Sequence, residues 1–128
     1  MSEKPRVRAG SYLSPPDFQR LDLACFPVYR AFGAAYLVGS VLERPDFRDI
    51  DLRCILADEE YDRLFPPDDR DSAHRLCLLN IALSRMIADQ AQVPWPIDFQ
   101  FQRRTDANEE FAGMRNPMGV RWAYRGDA

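Results

Sequence analysis

Apolar positions along the chain fall into segments of two different periods. After Ser14-Pro15-Pro16-Asp17, which reads as a helix opening with proline in its first turn, Phe18, Leu21 and Ala24 or Cys25 follow at helical spacing. Pro27 is expected to end or kink that helix. Gly33 leads into the apolar run Ala34-Ala35-Tyr36-Leu37-Val38, stopped by Gly39-Ser40, which predicts a buried strand and a sharp turn. Pro45-Asp46 marks a second turn, and residues 49–56 alternate polar and apolar before becoming fully apolar, predicting a second strand. A short helix is expected over 58–64, ended by Phe65-Pro66-Pro67-Asp68-Asp69. From 71 to 90, Leu76, Leu79, Leu83 and Met86 or Ile87 keep a three-or-four spacing, the clearest helix in the chain. Pro94-Trp95-Pro96 stops it, Ile97-Asp98-Phe99-Gln100-Phe101-Gln102 alternates with period two as a third strand, and Thr105 is expected to cap a short helix running toward Gly113.

This order implies an α/β (α+β) fold, a small mixed sheet with helices packed on it. The short link between the first two strands favours antiparallel pairing, while the long helical crossover from second to third permits parallel pairing. The second strand is then central. A length of 128 residues fits one domain, with the motif-bearing core at about 15–102 and a C-terminal helix and tail at 103–128.

Composition narrows the partners. With 46% hydrophobic and 29% charged residues, neither a disordered nor a fibrous chain is indicated. A net charge of −3 gives no whole-protein basic field, so any nucleic-acid contact must be local. All basic residues but Lys4 are Arg, whose planar fork suits phosphate. Cys25, Cys54 and Cys77 are far apart and odd in number, which supports reduced, core-type thiols over a disulfide framework or zinc site. The polar N-terminus and the lack of an 18-residue apolar stretch point to a cytoplasmic protein with no membrane segment.

The candidate chemistry lies in three acids. Asp49 and Asp51 project from one face of the second strand, starting roughly 7 Å apart at about 3.3 Å per residue. If the third strand lies alongside, Asp98 comes within reach, and three clustered carboxylates repel one another unless cations intervene. Hard oxygen donors without His or Cys favour Mg²⁺ (or Mn²⁺), completed by substrate phosphates and water. Gly39-Ser40, at the end of the first strand, permits close backbone approach to a phosphate.

Val38-Gly39-Ser40, the segment Arg44-Pro45-Asp46-Phe47-Arg48-Asp49-Ile50-Asp51-Leu52 and the later Ile97-Asp98-Phe99 together resemble the DNA polymerase β-like nucleotidyltransferase superfamily, in particular its small stand-alone members. The resemblance spans roughly residues 15–102. It implies a mixed sheet with the two-acid strand in the middle and two-metal transfer of a nucleoside monophosphate from an NTP such as ATP to a hydroxyl of RNA, protein or a small molecule. Asp49 and Asp51 would bridge the ions, Asp98 would help the ion that activates the acceptor, and Gly39, Ser40 and Arg48 would contact the nucleotide. Many relatives carry Arg shortly after Gly-Ser and Ser just before the first Asp, where this chain has Val41-Leu42 and Arg48. Arg44, Arg48 or Arg53 could supply that positive charge, or Arg53 could pair with the acids of its own face.

Other features carry blander readings. The acidic stretch 58–71 reads as a solvated helix and loop, and His74 as a surface or packing residue. Trp95 could stack on a base or cover the core. Arg103-Arg104 and the tail 114–125 mix cations with aromatics, as in segments that hold RNA, or form an edge segment packed on the sheet. A chain of this length leaves no room for an acceptor-gripping domain, so a homodimer mate, a partner protein or the tail would supply it. The alternative class is a catalytically silent nucleotidyltransferase fold that binds a nucleotide or a protein, and a DxD glycosyltransferase ranks last.

Overall fold

A computed structural model describes residues 11–121. Ser14 caps the first helix, α1 (Pro15–Ala24), its Oγ accepting from the Asp17 amide at 3.3 Å, and Pro15 occupies a first-turn position where its missing N–H costs nothing. The helix stops at Cys25, and a new one, α2 (Phe26–Ala31), begins with Pro27 in its first turn. Pro27 thus starts a helix, the role for which its fixed φ suits it. Next come β1 (Ala35–Val38), a 3₁₀ turn (Gly39–Leu42), β2 (Ile50–Leu56), α3 (Asp58–Leu64), α4 (Arg70–Ala91), β3 (Ile97–Arg103), α5 (Arg104–Glu110) and β4 (Asn116–Met118). Two expected boundaries shift. Asp49 lies in the bend just before β2, and Thr105 sits inside α5, its amide and hydroxyl bonded to Asp58.

The sheet is mixed, in the order β3-β2-β1-β4. β1 runs antiparallel to β2 and to β4, and β2 runs parallel to β3 through the α4 crossover. Alternation sends Ile50, Leu52, Cys54 and Leu56 to one face, where with Phe99, Leu37 and Leu21 they form the core. Leu76, Leu79, Leu83 and Met86 of α4 pack against that core and Ile87 is buried in it, as the spacing predicts. The outer edge of β3 is not left bare. Asn80 and Ser84 of α4 accept from the amides of Phe101 and Phe99 at 3.1 and 2.8 Å, occupying groups that would otherwise recruit another strand.

Part of the C-terminal tail is this sheet's other edge. Pro117 pairs with Tyr36, a place where proline is tolerated because β4 is the edge of the sheet among the described residues. Gly119 follows at φ +90°, and a Cβ there would fall 2.6 Å from the Cys25 carbonyl oxygen. Its amide and Arg121 donate to the buried Asp22 carboxylate at 2.7 and 2.9 Å, and Arg121 lies over the Phe18 ring. Arg115 is held by Asn108 and the Phe111 carbonyl. These cations secure β4 and the residues just after it, which matches the edge-segment reading for 116–121. The tail from Trp122 onward and the polar N-terminus lie outside the described residues.

Cys25 and Cys54 are buried free thiols, while Cys77 is exposed on α4 and so is not a core residue. Burial pushes the Cys54 thiol up to about 12, and Cys25 higher still. Among the described residues no helix is long and apolar enough to cross a membrane.

Candidate functional site

The face of β2 opposite the core carries Asp51, Arg53 and Ile55. In register with them, β3 sets Asp98 beside Asp51 and Gln100 beside Arg53, while β1 sets Val38 and Tyr36 on the other flank. Parallel neighbours are about 4.8 Å apart, so the Asp51–Asp98 pairing brings together two carboxylates separated by 46 intervening residues of chain. Asp49, exposed in the bend, is near enough for its charge to act on Asp51. Asp51 and Asp98 therefore meet at one end of this face, and Asp49 lies just beyond it in the bend.

Gly39 closes the group from the β1 side. Its φ of +81° favours glycine, and a Cβ at this position would lie 2.7 Å from Asp51 Oδ2. The backbone at the Gly-Ser turn thus packs directly on the central carboxylate. Ser40 follows within the 3₁₀ turn, half-buried, its carbonyl accepting from the amides of Glu43 and Arg44 at 2.9 and 3.0 Å.

Electrostatics at Asp51 are unfavourable to its charge. Burial pushes its carboxyl above the ordinary value, Arg53 pulls it back, and Asp49, Asp98 and Glu110 push it up further. Asp98, whose side chain is 49% exposed, is the acid with a cationic partner. Arg53 Nη2 stands 3.5 Å from Asp98 Oδ2, and the Gln100 amide nitrogen lies 3.2 and 3.4 Å from its two oxygens. Of the two uses open to Arg53, the structure shows pairing with an acid, and the acid is Asp98.

The remaining candidates divide. Arg48 is exposed beside Asp49. Arg44 makes only a loose exposed pair with Asp46 at 3.6 Å. Val41 is fully buried and Leu42 packs against the core, so both positions after Gly39-Ser40 serve packing in this chain. Trp95 lies on Phe47 with ring centroids 4.6 Å apart and covers the core. His74 is exposed.

Two surface depressions lie elsewhere. One of about 440 Å³ is lined by Tyr61, Phe65, Arg70, Leu76 and Arg103, and one of about 390 Å³ by Arg85, Asp89, Gln92 and Ile97. Neither includes the acids, which occupy an open sheet face. Among the described residues no group of three or more His, Cys, Asp or Glu forms a metal-holding cluster. The acids share a face without converging as three ligands.

Gln100, Glu110 and Phe111 complete the surroundings. Gln100 was legible as the period-two neighbour of Asp98. Glu110 and Phe111 had no sequence signal, since only the docking of α5 near β2 and β3 brings them in. No model of a known protein family, no curated protein and no solved structure matches the chain.

Proposed function

We propose that the chain is a divalent-metal-dependent nucleotidyltransferase, moving a nucleoside monophosphate from an NTP to a hydroxyl of RNA, protein or a small molecule. The observation that carries this reading is the β2–β3 register, which seats Asp98 beside Asp51 while the Gly39 turn closes on the Asp51 carboxylate. An Asp-x-Asp at the entrance to β2, a Gly-Ser turn and a third acid from a parallel neighbour are the parts the nucleotidyltransferase resemblance implies.

The donor set suits a hard cation. Asp49 and Asp51 offer only carboxylate oxygens, and Mg²⁺ is commonly held by one or two carboxylates with substrate phosphates and water completing its shell. When bound, Mg²⁺ or Mn²⁺ would supply charge neutralisation at the phosphates and a lowered pKa for the acceptor hydroxyl. The chain's own residues do the rest. The Gly39-Ser40 turn, whose missing Cβ lets the backbone close on Asp51, would contact the phosphates next to that carboxylate, and exposed Arg48 adds positive charge at the rim. The acceptor oxygen bonds to the α-phosphorus, the bond from that phosphorus to the α–β bridging oxygen breaks, pyrophosphate leaves, and the hydroxyl proton passes to water on the open face. No Ser, His or Cys nucleophile is called for.

Incubation with each α-labelled NTP, Mg²⁺ or Mn²⁺ and candidate acceptors tests the reading. Metal-dependent label transfer by the wild type, lost in Asp51→Ala, is the expected result. Absence of transfer with any acceptor, together with retained nucleotide binding, would favour a second reading, a catalytically silent nucleotide-binding or protein-interaction module. That reading draws on the engagement of Asp98 by Arg53 and on the use of Val41 and Leu42 in packing.

A further inference from the structure

We infer that Arg53 stands in for one of the two cations, so that this chain takes a single divalent ion, on Asp49 and Asp51, with Asp98 neutralised by the guanidinium. The inference rests on the nucleotidyltransferase reading and departs from the two-ion arrangement that the resemblance implies. Arginine keeps its charge at any working pH, and its side chain here is only 8% exposed, so a fixed cation is built into the floor of the acidic face.

The guanidinium is anchored against swinging away. Nη1 donates at 2.9 Å both to the Leu52 carbonyl and to the Asp98 carbonyl, and the group lies 5.5 Å from the centroid of the Phe111 ring. From that position Nη2 reaches Asp98 Oδ2 at 3.5 Å, while Gln100 covers Oδ1 and Oδ2 from the next outward-facing position of β3. Both oxygens of Asp98 are therefore engaged by donors of the chain. An ion on Asp98 would compete with Gln100 for those oxygens and sit against a buried positive charge that backbone carbonyls hold in place. Asp49 and Asp51 have no such cation bonded to them among the described residues. The division of labour follows: two acids hold an ion, and the third is a positioning group kept in place by Arg53.

Counting ions tests this without turnover. Protein-bound Mn²⁺ is measured by equilibrium dialysis and by electron paramagnetic resonance, with α,β-methylene-ATP at saturation. The wild type is expected to hold one Mn²⁺ per chain, Asp98→Asn still one, and Arg53→Met two, because the freed Asp98 can then act as a ligand. Two ions in the wild type, loss of the ion in Asp98→Asn, or a folded Arg53→Met that still holds one would overturn the inference and leave the nucleotidyltransferase reading standing. No protein-bound Mn²⁺ in the wild type would overturn both. Should Arg53→Met fail to fold by circular dichroism, the wild-type and Asp98→Asn counts decide the matter.

Discussion

Two acidic groups lie about the same sheet and are treated in opposite ways. At the junction of α3, β3 and α5, Asp58 takes hydrogen bonds from the hydroxyl and amide of Thr105, and Arg103 forms a two-pronged pair with Asp62 at 3.0 and 3.1 Å. Nearby, Asp69 caps α4 and pairs with Arg75 at 2.9 Å. Hydrogen bonds from Thr105 hold the Asp58 carboxyl below its ordinary value, and those from Arg75 and the Asp71 amide do the same for Asp69. On the open face the balance is reversed: burial and the neighbouring acids raise Asp51 more than Arg53 lowers it. The first group relieves its own charge and serves the fold. In the second, Asp98 is paired with Arg53 while Asp51 is held against a glycine turn with its carboxyl raised by burial.

The sharpest way to break this contrast is to remove Asp51. If the open face is the reaction site, Asp51→Ala lowers label transfer by about 10²–10³-fold or more, measured as initial rates at saturating Mg²⁺, while circular dichroism stays native. Equal loss from Asp58→Ala would erase the distinction between the groups.

Gly39→Ala comes next. It forces a positive φ on alanine and drives a methyl toward Asp51 Oδ2, so we expect roughly 1–3 kcal/mol of destabilisation in urea unfolding. Removing the carboxylate relieves the steric part, so the penalty is smaller when the substitution is made in an Asp51→Ala background.

Asp51→Asn should act in the stabilising direction. A carboxylate whose folded pKa is raised favours the protonated folded state, so its contribution is fully present below the unfolded pKa and is lost as pH rises through the folded value. In buffer containing EDTA, Asp51→Asn therefore raises Tm at pH 7 by about 1–4 °C, discounted for the partial exposure of the group, and the gain disappears on acidification below the carboxylate range. Asp58 and Asp69, whose values are lowered, have the opposite sign: their contributions hold above the unfolded pKa and are lost as pH falls through the folded value. Asp58→Asn thus lowers Tm at pH 7, and the deficit closes in acid.

The smallest effect belongs to Arg103→Ala. Its ion pairs are partly exposed and screened by solvent, so Tm falls by about 2 °C or less at low ionic strength and by less still in 1 M NaCl. A large drop that salt does not touch would mean that this second group is buried machinery as well.

Much of the architecture was readable because local pattern and tertiary outcome agree. The apolar spacing of α4, the alternation of β2 and β3, and the short and long links that set antiparallel and parallel pairing all left their marks in the chain. β4 did not, for Asn116-Pro117-Met118 has neither strand length nor strand composition. It forms because Gly119 and Arg121 converge on the buried Asp22, residues about a hundred positions away. Pro27 was ambiguous for a local reason, since proline ends one helix and begins another with equal ease.

The site divides along the same line. Sequence by itself determined the faces of Asp51 and Asp98 through strand alternation and, with the family resemblance, put forward Gly39, Ser40, Arg48 and Asp49 beside them. Tertiary structure alone decided how those charges are balanced. Arg53 and Asp51 share a face by alternation, so pairing within β2 was open to both Asp49 and Asp51. The one-to-one register with β3 instead placed the Asp98 carbonyl and carboxylate under the guanidinium. Charge pairing depends on ångström distances between strands, and those follow from how β3 docks beside β2, which no local stretch of sequence encodes.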